Sequence, residues 1–328
     1  MGLSDQELLA AARRGEEDAF RRLIEPYRRE LHAHCYRMLG SVPDAEDALQ
    51  DALLGAWRGL ARFEGRSSLR SWLYTITTNA CFKVIQRRPK RVLPIDYGPA
   101  ADPHDKPAGP LVDSVWIDPY PTPDARYEER ESVELAFVAA LQHLPPLQRA
   151  VLILRDVLGF SAREAAEALE TRPAAVDSAL QRAHKSVDAR LPERSQQANL
   201  RSLSDGDLRD IVDGYLDAWE RADVDAVVAM LAEEATMTMP PQPTWFRGRD
   251  AIATFIAAHP LAEGMRWRVV PTRANGQLAF GHYFWDGDGF AGEGIAVLTL
   301  RGTEIEDLTV FRTPELLERF GLPARLDA

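Results

Sequence analysis

Between Arg62 and Arg91 the chain carries eight basic residues, Arg62, Arg66, Arg70, Lys83, Arg87, Arg88, Lys90 and Arg91, against the single acid Glu64. Phe63, Trp72, Tyr74, Asn79 and Phe82 are set among them. Cations that hold phosphates, interleaved with π-surfaces and an amide, are what single-stranded DNA requires, because a base leaves the duplex stack only when another surface receives it. The same composition also suits core aromatics with charges that solvate a helix end. Upstream, Asp47, Gln50 and Asp51 fall one helical turn apart, opposite a stripe of Ala45, Ala48, Leu49, Ala52, Leu53, Ala56 and Leu60. An acidic, amide-bearing face fits a partner surface rich in Arg, or plain solvation.

A second set lies between Leu147 and Leu191. Gly159 closes one helix, Ser161-Ala-Arg-Glu164 is a capping box that starts a short one, and Pro173 opens a third after the turn Glu170-Thr171-Arg172. The result is a helix-turn-helix. On its second helix Ala174, Ser178, Gln181 and Lys185 share the open face, with Asp177 and Arg182 beside it. Gln181 and Arg182 can read base edges, whereas Arg172 and Lys185 suit phosphate.

Acid–base chemistry has fewer candidates. His282 alternates with Leu278, Phe280 and Phe284, which puts it on an apolar face as a pocket group or a satisfied core histidine, near Tyr215 and Trp219 of an earlier apolar helix. Asp286 or Asp288, with His282 and Tyr283, would be needed as base and oxyanion donor for an isomerase or cyclase. Asp286-Gly-Asp-Gly289 reads more simply as a hairpin turn, and its spacing is not that of an EF-hand, so no metal and no cofactor is expected.

The elements that must position these groups follow from periodicity. Helical spacing covers Asp5 to Arg88, a Pro/Gly/Asp-rich run reaches Asp124, and helical spacing returns from Tyr127 to Leu191. After a polar stretch, two helices precede strands at 236–239, 266–269, 277–285, 294–301 and 305–312, with a helix near 250–258. The expected domains are a helical bundle at 1–92, a linker at 93–126, a helix-turn-helix domain at 127–192, a linker at 193–203 and an α+β domain at 204–328. Within the first linker, Val115-Trp-Ile-Asp-Pro-Tyr-Pro121 places two large aromatics among prolines, as a docking segment or a collapsed loop would.

With 328 residues, 45% hydrophobic and 27% charged, the chain can build such cores, and no stretch has the ~20 apolar residues of a membrane span. A polar start and two cysteines, Cys35 and Cys81, point to a cytoplasmic protein without structural disulfides. The net charge of -11 argues against nucleic acid only if it is evenly spread. It is not: residues 1–201 hold 28 Lys and Arg against 29 Asp and Glu, while residues 202–328 hold 11 against 21.

Asp44-Ala-Glu-Asp-Ala-Leu-Gln-Asp51, Ala56-Trp-Arg58, Arg62-Phe-Glu-Gly-Arg-Ser-Ser68, Trp72-Leu-Tyr-Thr-Ile76 and Asn79 follow one another in an order that resembles region two of extracytoplasmic-function (ECF) RNA polymerase sigma factors. Leu144-Pro-Pro-Leu-Gln-Arg149 and Ala175-Val-Asp-Ser-Ala-Leu-Gln-Arg-Ala183 resemble region four of the same class. Ile211 to Trp219, Ala235 to Ile252 and the strands that follow resemble SnoaL-like domains, a cone-shaped fold that includes ketosteroid isomerases and polyketide cyclases. The whole is similar to ECF sigma factors with a fused C-terminal extension, the SigG-like actinobacterial group.

The resemblance implies two all-α sigma domains plus an α+β SnoaL-like cone, and a non-enzymatic subunit that directs promoter recognition and transcription initiation. Asp44, Asp47, Gln50 and Asp51 would then meet the β′ clamp coiled coil of core RNA polymerase. Phe63, Gly65, Arg66, Ser67, Ile76 and Asn79 would surround the -10 element, with Lys83, Arg87 and Arg88 on its backbone. Arg172, Ala174, Ser178, Gln181, Arg182 and Lys185 would face the -35 element. The extension would regulate from within the chain, through contact with the sigma domains or a small-molecule ligand held near Tyr215, Trp219 and His282. Two departures stand out. His184 occupies a place where the family generally has Arg, and Met239-Pro-Pro-Gln-Pro243 replaces an Asp-Gly-Gly-Gly-Lys motif of a related group. The rival reading is an isomerase or cyclase that uses the sigma modules for targeting.

Overall fold

Ser4, Ser41 and Ser68 each precede a helix and accept a hydrogen bond from a first-turn N–H, that of Glu7, Asp44 and Ser71 respectively. They start α1 (Asp5–Arg13), α3 (Val42–Gly59) and α4 (Leu69–Ile85); α2 (Glu17–Leu39) ends on Gly40, whose φ of 67° only glycine adopts without strain. The computed structural model describes residues 4–65, 67–111, 115–122, 133–192 and 194–327. These form two units, one of Met1–Lys90 with Phe137–Arg190 and one of Arg91–Ala136 with Leu191–Ala328.

In the first unit α3 buries Ala45, Ala48, Leu49, Ala52 and Ala56, the expected stripe. On α4 the apolar spacing of Leu69, Trp72, Leu73, Ile76 and Ala80 predicts the buried side, and the structure departs from it. Tyr74, Thr77 and Thr78 are buried beside Leu73 and Ala80, while Leu69, Trp72 and Ile76 are only half-buried. A buried polar pair causes this rotation: Thr78 Oγ1 lies 2.9 Å from His34 Nε2, and Tyr74 packs edge-on against the His34 ring. Cys35 and Cys81 are free and buried.

The helix-turn-helix is built as the sequence suggests. Helix Pro146–Leu152 continues as a π turn, Ile153–Val157, before Gly159 (φ 70°). The Ser161–Glu164 capping box opens Ala162–Ala168, and Pro173–Asp188 follows with Val176, Ala179, Ala183 and Val187 inward.

The second unit is a mixed sheet with strand order β2-β1-β6-β5-β4-β3, in which β1 (Leu231–Thr238) and β6 (Glu304–Phe311) are parallel and the other pairs antiparallel. β3 (Trp267–Ala274), β4 (Gln277–Trp285) and β5 (Phe290–Arg301) match expected strands; the short β2 (Trp245–Arg247) and β7 (Arg325–Leu326) carry no alternation long enough to read. Helix Asp205–Glu220 presses Ile211, Tyr215, Ala218 and Trp219 into a core with Met237, Phe246, Trp267, Leu278, Phe280 and Leu298. Gly294 (φ 156°) cannot be replaced there, since a Cβ would stand 1.9 Å from the Phe311 carbonyl oxygen.

Two stretches that read as linkers are bonded to this sheet. Helix Gln196–Ser202 lies in the second of them. The Gln196 amide exchanges two 2.7 Å hydrogen bonds with the Leu300 backbone, and Asn199 does the same with Gly302 at 3.0 and 2.9 Å. In the first, Trp245 Nε1 donates to Gly98 O (2.8 Å), Ala108 N–H donates to Thr244 Oγ1 (3.0 Å) and Leu111 N–H to Pro241 O (2.9 Å). Trp116 and Ile117 are buried, so the aromatic segment is docked. Its far end meets the β3–β4 turn: Asn275 Oδ1 accepts from Tyr120 N–H (2.8 Å), Asn275 Nδ2 donates to Val133 O (2.7 Å) and Gln277 Oε1 accepts from Leu135 N–H (2.9 Å).

Candidate nucleic-acid interface

Along α4, Ile76, Asn79 and Lys83 recur at helical spacing on one side; Asn79 and Lys83 are exposed and Ile76 is half-buried. Arg87 is exposed just past the helix end. This is an open strip with an apolar contact, an amide and two cations. Before it, Gly65 (φ 73°) is exposed and Ser67 half-buried, while Ser68 caps α4; Arg66 lies outside the described residues.

Two members of the proposed set sit elsewhere. Phe63 is 8% exposed, packed 4.9 Å from Trp72 in a core with Leu8, Leu23 and Leu60, and Arg13 donates to its carbonyl oxygen. It anchors the loop and offers no free ring face. Arg88 is ion-paired with Asp44. Asp44 is 2% exposed and therefore leaves the polar face of α3, where Asp47, Gln50 and Asp51 are exposed. Burial beside a cation decides its place, which the spacing alone does not reveal. Leu54, one turn after Asp51, is 47% exposed. It adds an apolar contact to that face, and its only sequence signal is a leucine outside the apolar stripe.

On helix Pro173–Asp188 the side chains of Ala174, Ser178, Gln181, Arg182 and Lys185 are all exposed, as are Arg172 at its N-cap and Asp177. Ser178 Oγ donates to Ala174 O (2.9 Å), leaving its oxygen as an acceptor. The His184 ring nitrogen Nε2 is hydrogen-bonded to Asp156 of the π turn. The side chains of Arg172, Gln181, Arg182 and Lys185 thus lie exposed, with no carboxylate paired to them among the described residues.

In the second unit Tyr215 Oη is 3.1 Å from His282 Nε2, and both are buried. Burial holds His282 neutral, its pKa pushed down to about 3, and pushes the Tyr215 phenol up. Trp219 lies 4.5 Å from the His282 ring, and its buried Nε1 has no partner among the described residues. The carboxylates proposed to work with His282 are not brought to it. Asp286 accepts two hydrogen bonds from Arg325 (2.6 and 2.8 Å), which hold its carboxyl well below the usual range, and Asp288 is exposed on the turn. Tyr283 projects from the opposite face of β4 and donates to Pro323 O (2.9 Å). Among the described residues, no cluster of three His, Cys, Asp or Glu could hold a metal ion, and no helix is long and apolar enough to cross a membrane.

Comparison with known proteins agrees with this geometry. Residues 23–91 match the Sigma-70 region 2 family, residues 134–187 the Sigma-70 region 4 family and residues 212–308 the SnoaL-like domain family. The ECF RNA polymerase sigma factor SigG of Mycobacterium tuberculosis is 40% identical over 97% of this chain and 86% of its own length. SigM of the same organism, also an ECF RNA polymerase sigma factor, is 32% identical over 60% of this chain and 90% of its own. In fold, the chain is similar to the crystal structure of the M. tuberculosis ECF sigma factor SigJ, with a TM-score of 0.59 at 22% identity, over 92% of this chain and 98% of that one. Two matched sigma regions, a matched SnoaL-like domain and a relative alike along nearly the whole chain lead to one conclusion: this chain belongs to the ECF RNA polymerase sigma factors.

Proposed function

We propose that the chain brings core RNA polymerase to promoters through the Asp47/Gln50/Asp51 face. The Ile76/Asn79/Lys83/Arg87 strip would take the -10 element, and helix Pro173–Asp188 the -35 element. The observation that carries this reading is the placing of two separate cation-bearing strips on helices of one chain, with an acidic face on α3. The work is binding and strand opening in the cytoplasm, without bond-making chemistry by this chain. A buried His282–Tyr215 pair with no facing carboxylate favours that over an isomerase.

We further propose that the C-terminal unit restrains the sigma modules through the chain between them. Asn275 and Gln277 hold both Tyr120 and Leu135, so the connection from region two to region four is tied down at a single turn. The test is run-off transcription with core polymerase, comparing the full chain with its Asn275→Ala, Gln277→Ala double variant. Output should rise several-fold with polymerase affinity unchanged. Equal output from the two proteins would overturn control through the linker, and no output from either would overturn the sigma reading itself.

A further inference from the structure

Within the first unit, the last carbonyls of α2 are capped by residues far away in sequence. A helix leaves its final four C=O groups without intrahelical partners, and its C-terminus carries partial negative charge. Tyr36 O takes the Gly40 N–H. Met38 O takes a hydrogen bond from Arg149 Nη1, and Arg37 O takes one from Gln142 Nε2 (3.1 Å). Gly40 makes room for this approach, since a Cβ there would lie 3.2 Å from Gln142 Cδ.

Arg149 is an unusual residue to find in that place. It is 5% exposed and forms no ion pair among the described residues; its other bonds run to Gln142 Oε1 (2.6 Å), Gln142 O (3.1 Å) and Leu144 O (3.2 Å), while its Nε has no partner. Burial without a counter-charge pushes its pKa down to about 10. A cation ligated only by neutral carbonyls bears a desolvation cost that water would relieve as soon as the helices part. A second contact lies beside it. The Arg70 guanidinium, bonded to Glu30, sits 5.1 Å from both the Tyr74 and the Phe160 ring centroids, joining α4 to the loop before the helix-turn-helix.

Size shows why this seam matters. A compact body of ~140 residues has a radius of gyration of about 15 Å and so spans roughly 40 Å. Elements centred at -10 and -35 are about 25 base pairs apart, or ~85 Å along duplex DNA at ~3.4 Å per pair. The first unit as it stands cannot touch both. Helix Pro173–Asp188 packs on Pro146–Leu152, the helix that carries Arg149, so reading helix and capping residue move as one piece.

We propose that Arg149 and Gln142 are a latch: by capping α2 they hold region four closed on region two in the free chain, and the latch must open before both promoter elements are engaged. This rests on the sigma reading above. The test uses the full chain carrying Glu25→Cys and Asp188→Cys, both exposed positions, labelled for energy transfer while Cys35 and Cys81 stay buried. Gln142→Ala, which leaves Arg149 its backbone acceptors at Gln142 and Leu144, and Arg149→Met should lower transfer efficiency, raise the open fraction tenfold or more and retain a cooperative thermal melt. Core polymerase added to the unsubstituted chain should lower efficiency in the same way. If folded Gln142→Ala protein keeps the full efficiency of the parent, Arg149 and Gln142 are structural only and the latch is overturned. Promoter-directed run-off measured on the same samples reports the sigma reading separately, so the two can fail independently.

Discussion

Asp44 and Asp51 are seven residues apart on one helix, yet they have different tasks. Asp44 is buried against Arg88, whereas Asp51 is exposed on the polar face of α3. Removing the carboxylate of Asp44 leaves a cation without its partner and a buried gap, a loss of about 1–3 kcal/mol by the usual cost of an unsatisfied polar group. Asp44→Ala should therefore lower the unfolding midpoint while polymerase binding by the folded fraction is kept. Asp51→Arg should do the reverse, changing stability by no more than about 0.5 kcal/mol, as surface substitutions do, while core polymerase affinity falls tenfold or more. Denaturant melts and a binding titration on the two variants would check this. If Asp44→Ala weakened binding of fully folded protein, Asp44 would return to the interface.

At the scale of the element, the proposed role of helix Pro173–Asp188 would separate contacts that position from contacts that read. Lys185→Ala should weaken binding to every -35 sequence alike and reduce the slope of log K against log salt by about 1, whereas Arg182→Ala should cost about 1–3 kcal/mol on the cognate element and relax the preference at one base pair. Anisotropy titrations at several salt concentrations on cognate and altered duplexes would distinguish these; an identical loss on all duplexes for both would sink the assignment of Arg182 to base reading. This helix was readable in advance because its signals are local: Gly159, the Ser161–Glu164 box and Pro173 act within one or two turns. The strands of the C-terminal unit were readable by alternation. What the sequence hid depends on distant partners. Phe63 is withdrawn into the core by Trp72, and Thr78 is drawn inward by His34. Gln196, Asn199 and Asn275 look like loop and linker residues and Gln277 like an ordinary strand end, yet their amides bond distant backbone groups. A buried amide carries no periodicity, so nothing short of the folded backbone identifies it.

For the whole molecule, the uneven charge would give the proposed restraint an electrostatic side. The linker is tied to a C-terminal unit in which residues 202–328 hold 21 acids against 11 bases, while the strip proposed for the -10 element presents Lys83 and Arg87. An acidic body tethered to a cation-bearing strip would compete with phosphates for it, and that competition would be screened beyond ~10 Å at 0.1 M salt. Asp210, Asp213 and Asp225 are exposed, and replacing all three with Asn removes charge without touching the core. The full-chain triple variant should bind promoter DNA several-fold more tightly than the parent at about 50 mM salt, and the advantage should vanish by about 500 mM. A gain that persisted at high salt would assign the restraint to the tied linker and the α2 cap alone. No gain at low salt would mean that the acidic surface faces away from DNA throughout, leaving chain connectivity as the means by which the C-terminal unit acts.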